Sequence, residues 1–188
     1  LIMKDEIQKQ KELQELIEQC ISKKRKAQYK FYKRFYSSLF AVCVRFAKNN
    51  EEAEDMLNEG FLKIFDNLDK YQATGSFEAW LKRVVVNTAI DYQRKYKTTE
   101  HNVVEYDLLP DTQMPVEDNN ALSKMSSDEL LQLIQELPPI SKQVFNLYVF
   151  EDYSHAEIAA LLNIKEGTSH WHLNFARTKL KEKINSLN

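Results

Sequence analysis

Glycine and proline are scarce in this chain, with three and four residues in 188. Both residues punctuate turns and break helices, so their scarcity argues against a protein of many short strands. No segment shows the sustained alternation of a half-buried strand either. Cysteine is nearly absent. Cys20 and Cys43 are the only two, each on the apolar side of an expected helix, which excludes a disulfide framework and points to buried, reduced thiols. No apolar run approaches the roughly 20 residues needed to span a bilayer, and no secretory leader is legible. The expectation is a cytoplasmic, soluble protein without membrane insertion. What fills the chain instead is Lys, Glu, Leu, Ala and Gln, the better helix formers. The expected fold class is therefore all-α, with enough length for two small domains that each bury a modest core.

The formal net charge of -2 conceals a segregation along the chain. Lys23, Lys24, Arg25, Lys26, Lys30, Lys33 and Arg34 come with no acid among them, whereas Glu51, Glu52, Glu54, Asp55, Glu59, Asp66 and Asp69 are diluted only by Lys63. Lys82, Arg83, Arg94, Lys95 and Lys97 form a second basic block, followed by an acidic stretch from Thr98 to Ser123 that lacks Lys and Arg. Alternating blocks of this size suggest several charged partners.

Helical periodicity supplies the elements. Leu13, Leu16, Ile17, Cys20 and Ile21 predict a short first helix. Tyr32, Phe35, Tyr36, Leu39, Cys43 and Phe46 predict a longer second one whose aromatics are core. A third helix, about Glu52 to Lys70, buries Ala53, Phe61, Ile64 and Leu68 and carries Asp55, Asn58 and Glu59 together on its exposed side, because positions three and four apart share a face. That acidic, amide-bearing face suits protein docking better than catalysis. The loop Tyr71 to Ser76 follows, with Gly75 for backbone freedom and Ser76 as a cap. A fourth helix then buries Phe77, Trp80, Leu81, Val84, Val85, Thr88 and Tyr92, while Arg83, Asn87, Asp91 and Arg94 line its polar side. Cations can hold phosphates there, and an amide can pair with a base edge. Between Thr98 and about Ser123 the periodicity stops, and Pro110 and Pro115 interrupt. This is an expected flexible acidic linker. The expected organisation is an N-terminal domain 1-97, a linker 98-124 and a C-terminal domain 125-188.

The C-terminal domain opens on the capping-box pattern Ser126 and Glu129. It continues with a helix of Leu130, Leu131, Leu133, Ile134 and Leu137, then with a helix after Pro138 and Pro139 whose Val144, Phe145, Leu147 and Tyr148 are mostly core. From Ser154 to Lys183 two helices are expected around a tight turn. Ser154 and Glu157 repeat the capping box, Ile158, Leu161 and Leu162 give an apolar face, and Asn163 tolerates the left-handed conformation that ends the first helix. This is a helix-turn-helix pattern. No nucleophile with its base, metal-ligand set or phosphate-cradling glycine loop can be assembled, so neither enzymatic activity nor a cofactor is expected.

Four stretches in order, EEAEDMLNEGFLKIFDNL, GSFEAWLKRVVVNTAIDYQRK, LPPISKQVFNLYVFEDYSHAEIAALLNIKEGTS and LNFARTKLKEKI, resemble the extracytoplasmic function (ECF) group of bacterial sigma factors, and the resemblance covers nearly the whole chain. It implies an all-helical, two-domain initiation factor that binds core RNA polymerase and directs it to promoter DNA, both duplex and non-template single strand. By that resemblance Asp55, Asn58 and Glu59 dock on polymerase, with Asn58 standing where the family often has Gln. Tyr71, Ser76, Arg83, Asn87, Asp91 and Arg94 read the minus-ten element. Thr168, Ser169, His170, Trp171, Asn174 and Arg177 face the minus-thirty-five element. The linker would thread the channel that nascent RNA later occupies, and an anti-sigma factor enters as a candidate partner. The recognition helix departs from the family, which usually places Lys or Arg where this chain has His170, Trp171, His172, Asn174 and Phe175. The alternative is a two-domain helix-turn-helix regulator that contacts promoters without serving as a polymerase subunit, but such a regulator has no use for both the acidic face and the acidic linker.

Overall fold

The computed structural model describes residues 2–72, 75–97 and 126–186, and among them it contains eight α-helices, one short 3-10 turn and no strand. The chain divides into two compact units, Leu1–Lys95 and Tyr96–Asn188. The expected linker 98-124 lies outside the described residues.

In the first unit, α1 (Ile2–Ile21) is longer than the short helix expected from its apolar stripe, and α2 (Arg25–Phe46) packs against it. The turn between them closes without glycine. Lys23 takes the left-handed conformation (φ 56°), its N–H donates to the Cys20 carbonyl at 2.9 Å, and the Lys24 N–H donates to the Gln19 carbonyl at 3.1 Å. This paired closure satisfies two helix-end carbonyls, at the steric cost of a Cβ in a region that favours glycine. α3 (Asn50–Asn67) begins at Asn49, whose side chain accepts the Glu52 N–H at 2.8 Å. It ends three residues earlier than expected, where Leu68–Lys70 tightens into a 3-10 turn.

α4 (Phe77–Lys97) lies close to α3 at Gly60, where an added Cβ would stand 3.1 Å from Val85 Cγ2. A side chain here would push the two helices apart. The core of this unit is continuous through Phe31, Leu39, Phe46, Met56, Leu57, Ile64, Leu81, Val85 and Ile90, all essentially without exposure. Its buried polar groups are paired: Thr88 Oγ1 donates to the Val84 carbonyl at 2.8 Å, and the Gln93 side-chain amide donates to the Phe46 carbonyl at the end of α2. Trp80, Val84 and Tyr92, expected to be core, are only half-buried. Cys20 and Cys43 are buried and free, as expected. Burial pushes their thiols up to about 11 and about 12, which leaves both in the unreactive protonated form.

The second unit contains α5 (Ser127–Gln135), α6 (Pro139–Val149), α7 (His155–Leu162) and α8 (Glu166–Ser186). α8 is its axis, with α5, α6 and α7 all packed against it. Both capping boxes form as expected. Ser126 accepts the Glu129 N–H while the Glu129 carboxylate accepts the Ser126 N–H at 2.8 Å, and Ser154 and Glu157 do the same at 2.9 Å. α7 stops at Asn163, left-handed at φ 55° and ψ 47°, and the Ile164 N–H donates to the Ala159 carbonyl at 3.0 Å. Ile158 is fully buried, but Leu161 and Leu162 are only half-buried, and Tyr148, expected to be largely core, lies at the surface. No described helix is long and apolar enough to cross a membrane.

Candidate polymerase and nucleic-acid interfaces

α3 presents Asp55 and Asn58 to solvent, with Glu59 half-buried on the same side. The face is tied to α4 by long, exposed polar contacts. The Tyr92 hydroxyl donates to Asp55 at 3.4 Å, and the Lys63 ammonium stands 3.5 Å from Glu59 and 3.4 Å from Asp91. Contacts of this kind contribute at most about 1 kcal/mol each, so their main effect is orientation. Within this acidic face sits Leu62, 66% exposed. It was not singled out from the sequence, although a leucine three residues after Glu59 and four after Asn58 must share their side of a helix. An exposed apolar side chain ringed by carboxylates is the composition of a docking anchor with a polar rim.

The loop before α4 is built on rings. Tyr71 meets Phe77 edge-on at 5.1 Å and Trp80 at 5.3 Å, Trp80 stacks on Phe77 at 5.8 Å, and Phe77 continues inward to Phe31 and Phe35. The Tyr71 hydroxyl closes the loop by donating to the Gly75 carbonyl at 2.7 Å. Ser76 is exposed, and its hydroxyl accepts the Ala79 N–H at 3.4 Å, a long cap. Gly75 departs from expectation. It does not adopt positive φ, and a Cβ there would meet open space, so the turn does not depend on its backbone freedom. Residues 73 and 74 lie outside the described residues. Along α4, Arg83, Asn87, Asp91 and Arg94 are all exposed. Asp91 is the partner of Arg94 at 3.7 Å as well as of Lys63, so its carboxylate orients two cations, which suits a surface for phosphates better than a direct contact would.

In the helix-turn-helix the six expected residues separate. His170, Asn174 and Arg177 are exposed, Thr168 and Trp171 are half-buried, and Ser169 is fully buried. Ser169 therefore corrects the expectation of a DNA-facing side chain. Its hydroxyl lies 2.9 Å from His155 Nδ1 and joins α8 to the start of α7. His155 was missed, since a histidine just after a capping serine carries no distinctive signal. It is the middle of a stack, 4.6 Å from Tyr148 and 3.6 Å from His170, and the Arg177 guanidinium lies 5.6 Å above Tyr148. Burial first, then His170, lowers the His155 pKa, with Arg177 adding to the effect and Glu166 opposing it. The His155 ring is thus held neutral at neutral pH, and the stack fixes where His170 points. Trp171 stacks on Phe175 at 5.2 Å.

His172 turns inward, with Nδ1 2.9 Å from the Ser141 hydroxyl, and burial pushes its pKa down to about 4. Its unfolded-state value is near 6.5, so the depressed folded value favours the neutral ring. The stability it contributes is complete above about pH 6.5 and is lost as pH falls through about 4. We expect the melting temperature of the second unit to fall across that window, and His172→Gln to flatten the dependence. Circular dichroism melts from pH 7 to pH 4 measure both. Among the described residues no group of three or more His, Cys, Asp or Glu could hold a metal ion.

The Sigma-70 region 2 family model matches residues 31–99, and the Sigma-70, region 4 model matches residues 127–180. The ECF RNA polymerase sigma factor SigW of Bacillus subtilis is 27% identical over 163 residues, covering 81% of this chain and 86% of that protein. The ECF RNA polymerase sigma factor SigE of Mycolicibacterium smegmatis is 28% identical over 151 residues, covering 77% of this chain and 56% of that protein. Among solved structures, the sigma factor RpoE of Bartonella quintana, in complex with the anti-sigma factor NepR, superposes with a TM-score of 0.54 over 85% of this chain and 98% of that one, at 16% identity, and so shows the shared fold. The region 2 match spans α3, the ring-built loop and α4, and the region 4 match spans the helix-turn-helix: the chain belongs to the sigma-70 family and is an ECF RNA polymerase sigma factor.

Proposed function

We propose that the first unit binds core RNA polymerase through Asp55, Asn58 and Glu59, with Leu62 as the apolar anchor, and reads the minus-ten element through the Tyr71 to Ser76 loop and Arg83, Asn87 and Arg94. The observation that carries this reading is the tie between the two surfaces: Lys63 links Glu59 on α3 to Asp91 on α4. Docking on polymerase and engagement of DNA then fall to one packed helix pair, as initiation demands. The second unit faces the minus-thirty-five element with His170, Asn174 and Arg177, while Ser169 and His155 position that surface. Its chemistry is amide and aromatic more than cationic, which favours base-edge hydrogen bonds and contact with thymine methyl groups over phosphate attraction. The acidic segment 98-124, which links the region 2 and region 4 matches in sequence, takes the channel later filled by RNA. The factor acts in the cytoplasm and performs no catalysis of its own. Because the Bartonella quintana relative is held by an anti-sigma factor, an anti-sigma factor is the proposed inhibitory partner.

The exposed Asn174 tests the second unit's role. A bidentate amide–adenine contact discriminates by about 1–3 kcal/mol, so Asn174→Ala should reduce promoter-specific transcription about tenfold or more and leave core binding unchanged. Run-off transcription beside a core-binding titration measures the two. Equal loss of both, or of neither, would contradict the assignment.

A further inference from the structure

The N-terminal half of α2 carries a charged surface that the region 2 match, which begins at residue 31, largely leaves out. No Asp or Glu occurs between Glu18 and Glu51. Lys26, Lys30, Lys33 and Arg34 all reach solvent on one side of the helix, opposite the buried Ala27, Phe31 and Phe35. No carboxylate among the described residues pairs with any of them. Beside them Tyr29 stands 64% exposed, with the Lys33 ammonium 5.9 Å from its ring centre. Phe31 and Phe35 on the same half of the helix are buried and Tyr32 and Tyr36 half-buried, whereas Tyr29 stands outside the core. An exposed ring bordered by unpaired cations offers a base a stacking surface and its phosphates a track.

The position of this surface identifies which strand it meets. The Arg34 guanidinium lies 5.5 Å from the Phe35 ring, Phe35 touches Phe77 at 5.8 Å, and Phe77 touches Tyr71 of the loop at 5.1 Å. The cations of α2 therefore begin three contacts from the loop assigned to the minus-ten element. We propose that this face of α2 binds the single-stranded non-template DNA that runs on from the minus-ten element, with Tyr29 stacking on a base and Lys26, Lys30 and Lys33 on successive phosphates. The inference rests on the minus-ten reading of the loop. Duplex is the poorer fit, because a paired base does not offer its face to Tyr29.

The test uses holoenzyme assembled from the full chain and core polymerase, and a promoter selected by that holoenzyme from a randomised pool. Two templates are compared, one whose non-template strand stops at the minus-ten element and one that extends ten nucleotides further. The wild type should bind the extended template at least tenfold more tightly. The triple variant K26Q/K30Q/K33Q should keep its core affinity and its affinity for the short template, yet lose that gain. On the extended template its plot of log affinity against log salt should be shallower by about 2, since each neutralised single-strand phosphate contributes about 0.7. Tyr29→Ala should lose about tenfold on the extended template with the slope unchanged. Equal behaviour of wild type and variants on both templates would overturn the inference while leaving the minus-ten reading intact. Weakened core binding by the triple variant would overturn it in favour of a polymerase-docking face. Failure of the wild type to bind either template would overturn the minus-ten reading and this inference with it.

Discussion

Reversing the charge of Asp55 and Glu59 together, Asp55→Lys with Glu59→Lys, is expected to weaken binding to core polymerase by at least a hundredfold with little change in stability. The two effects separate because of where the groups sit. Asp55 is exposed and accepts a long hydrogen bond from Tyr92 at 3.4 Å, and Glu59 has the half-buried Lys63 at 3.5 Å. Loss of such contacts costs the fold about 1 kcal/mol or less. At an interface the same carboxylates face a complementary potential, and replacing each by a like charge costs several kcal/mol, which is two decades or more in affinity. Leu62→Ala should weaken binding by a smaller factor, through lost apolar burial alone. A fluorescence titration of labelled factor with core polymerase, run beside a thermal melt, checks the pair of claims.

Phe77→Ala is expected to have the largest effect on stability. Phe77 opens α4, is 7% exposed and touches Phe31, Phe35, Tyr71 and Trp80. Removing a buried Phe costs about 3–5 kcal/mol through lost transfer energy and the cavity left behind. For a unit of this size 1 kcal/mol corresponds to roughly 4–8 °C in melting temperature, so the first unit should melt at least roughly 12 °C lower. Binding of minus-ten DNA should fall further than the residual folded fraction explains, because Tyr71 and Trp80 lose the ring they rest on. The second unit, with its own core of Ile134, Val144, Leu147, Ile158 and Leu173, should melt unchanged, a distinction that calorimetry resolves.

The helices were legible wherever one local rule acted alone. Both capping boxes and the left-handed Asn163 follow from side chains that bond to their own backbone or tolerate positive φ, and those residues show in the sequence. Positions set by packing between distant segments were not legible. Ser169 looks like a polar residue on a recognition helix until His155, fourteen residues earlier, folds against it. Trp80 has core spacing, but it sits with the half-buried Tyr71 at the loop and is itself only half-buried. The charges of the acidic face show in the sequence, whereas the exposed Leu62 does not stand out from the other apolar residues of a helix that also carries a core stripe. The left-handed Lys23 carried no residue signal, because the conformation is imposed by the helices on either side.

The central claim is that this chain confers promoter specificity on polymerase, and reconstitution with core RNA polymerase on a pool of promoter DNA tests it most directly. The account predicts a stable complex with core and discrete transcripts that appear only when the factor is added, and that vanish with the Asp55→Lys and Glu59→Lys double variant. A factor that binds promoter DNA without joining core, or a holoenzyme whose transcripts match those of core alone, would contradict it.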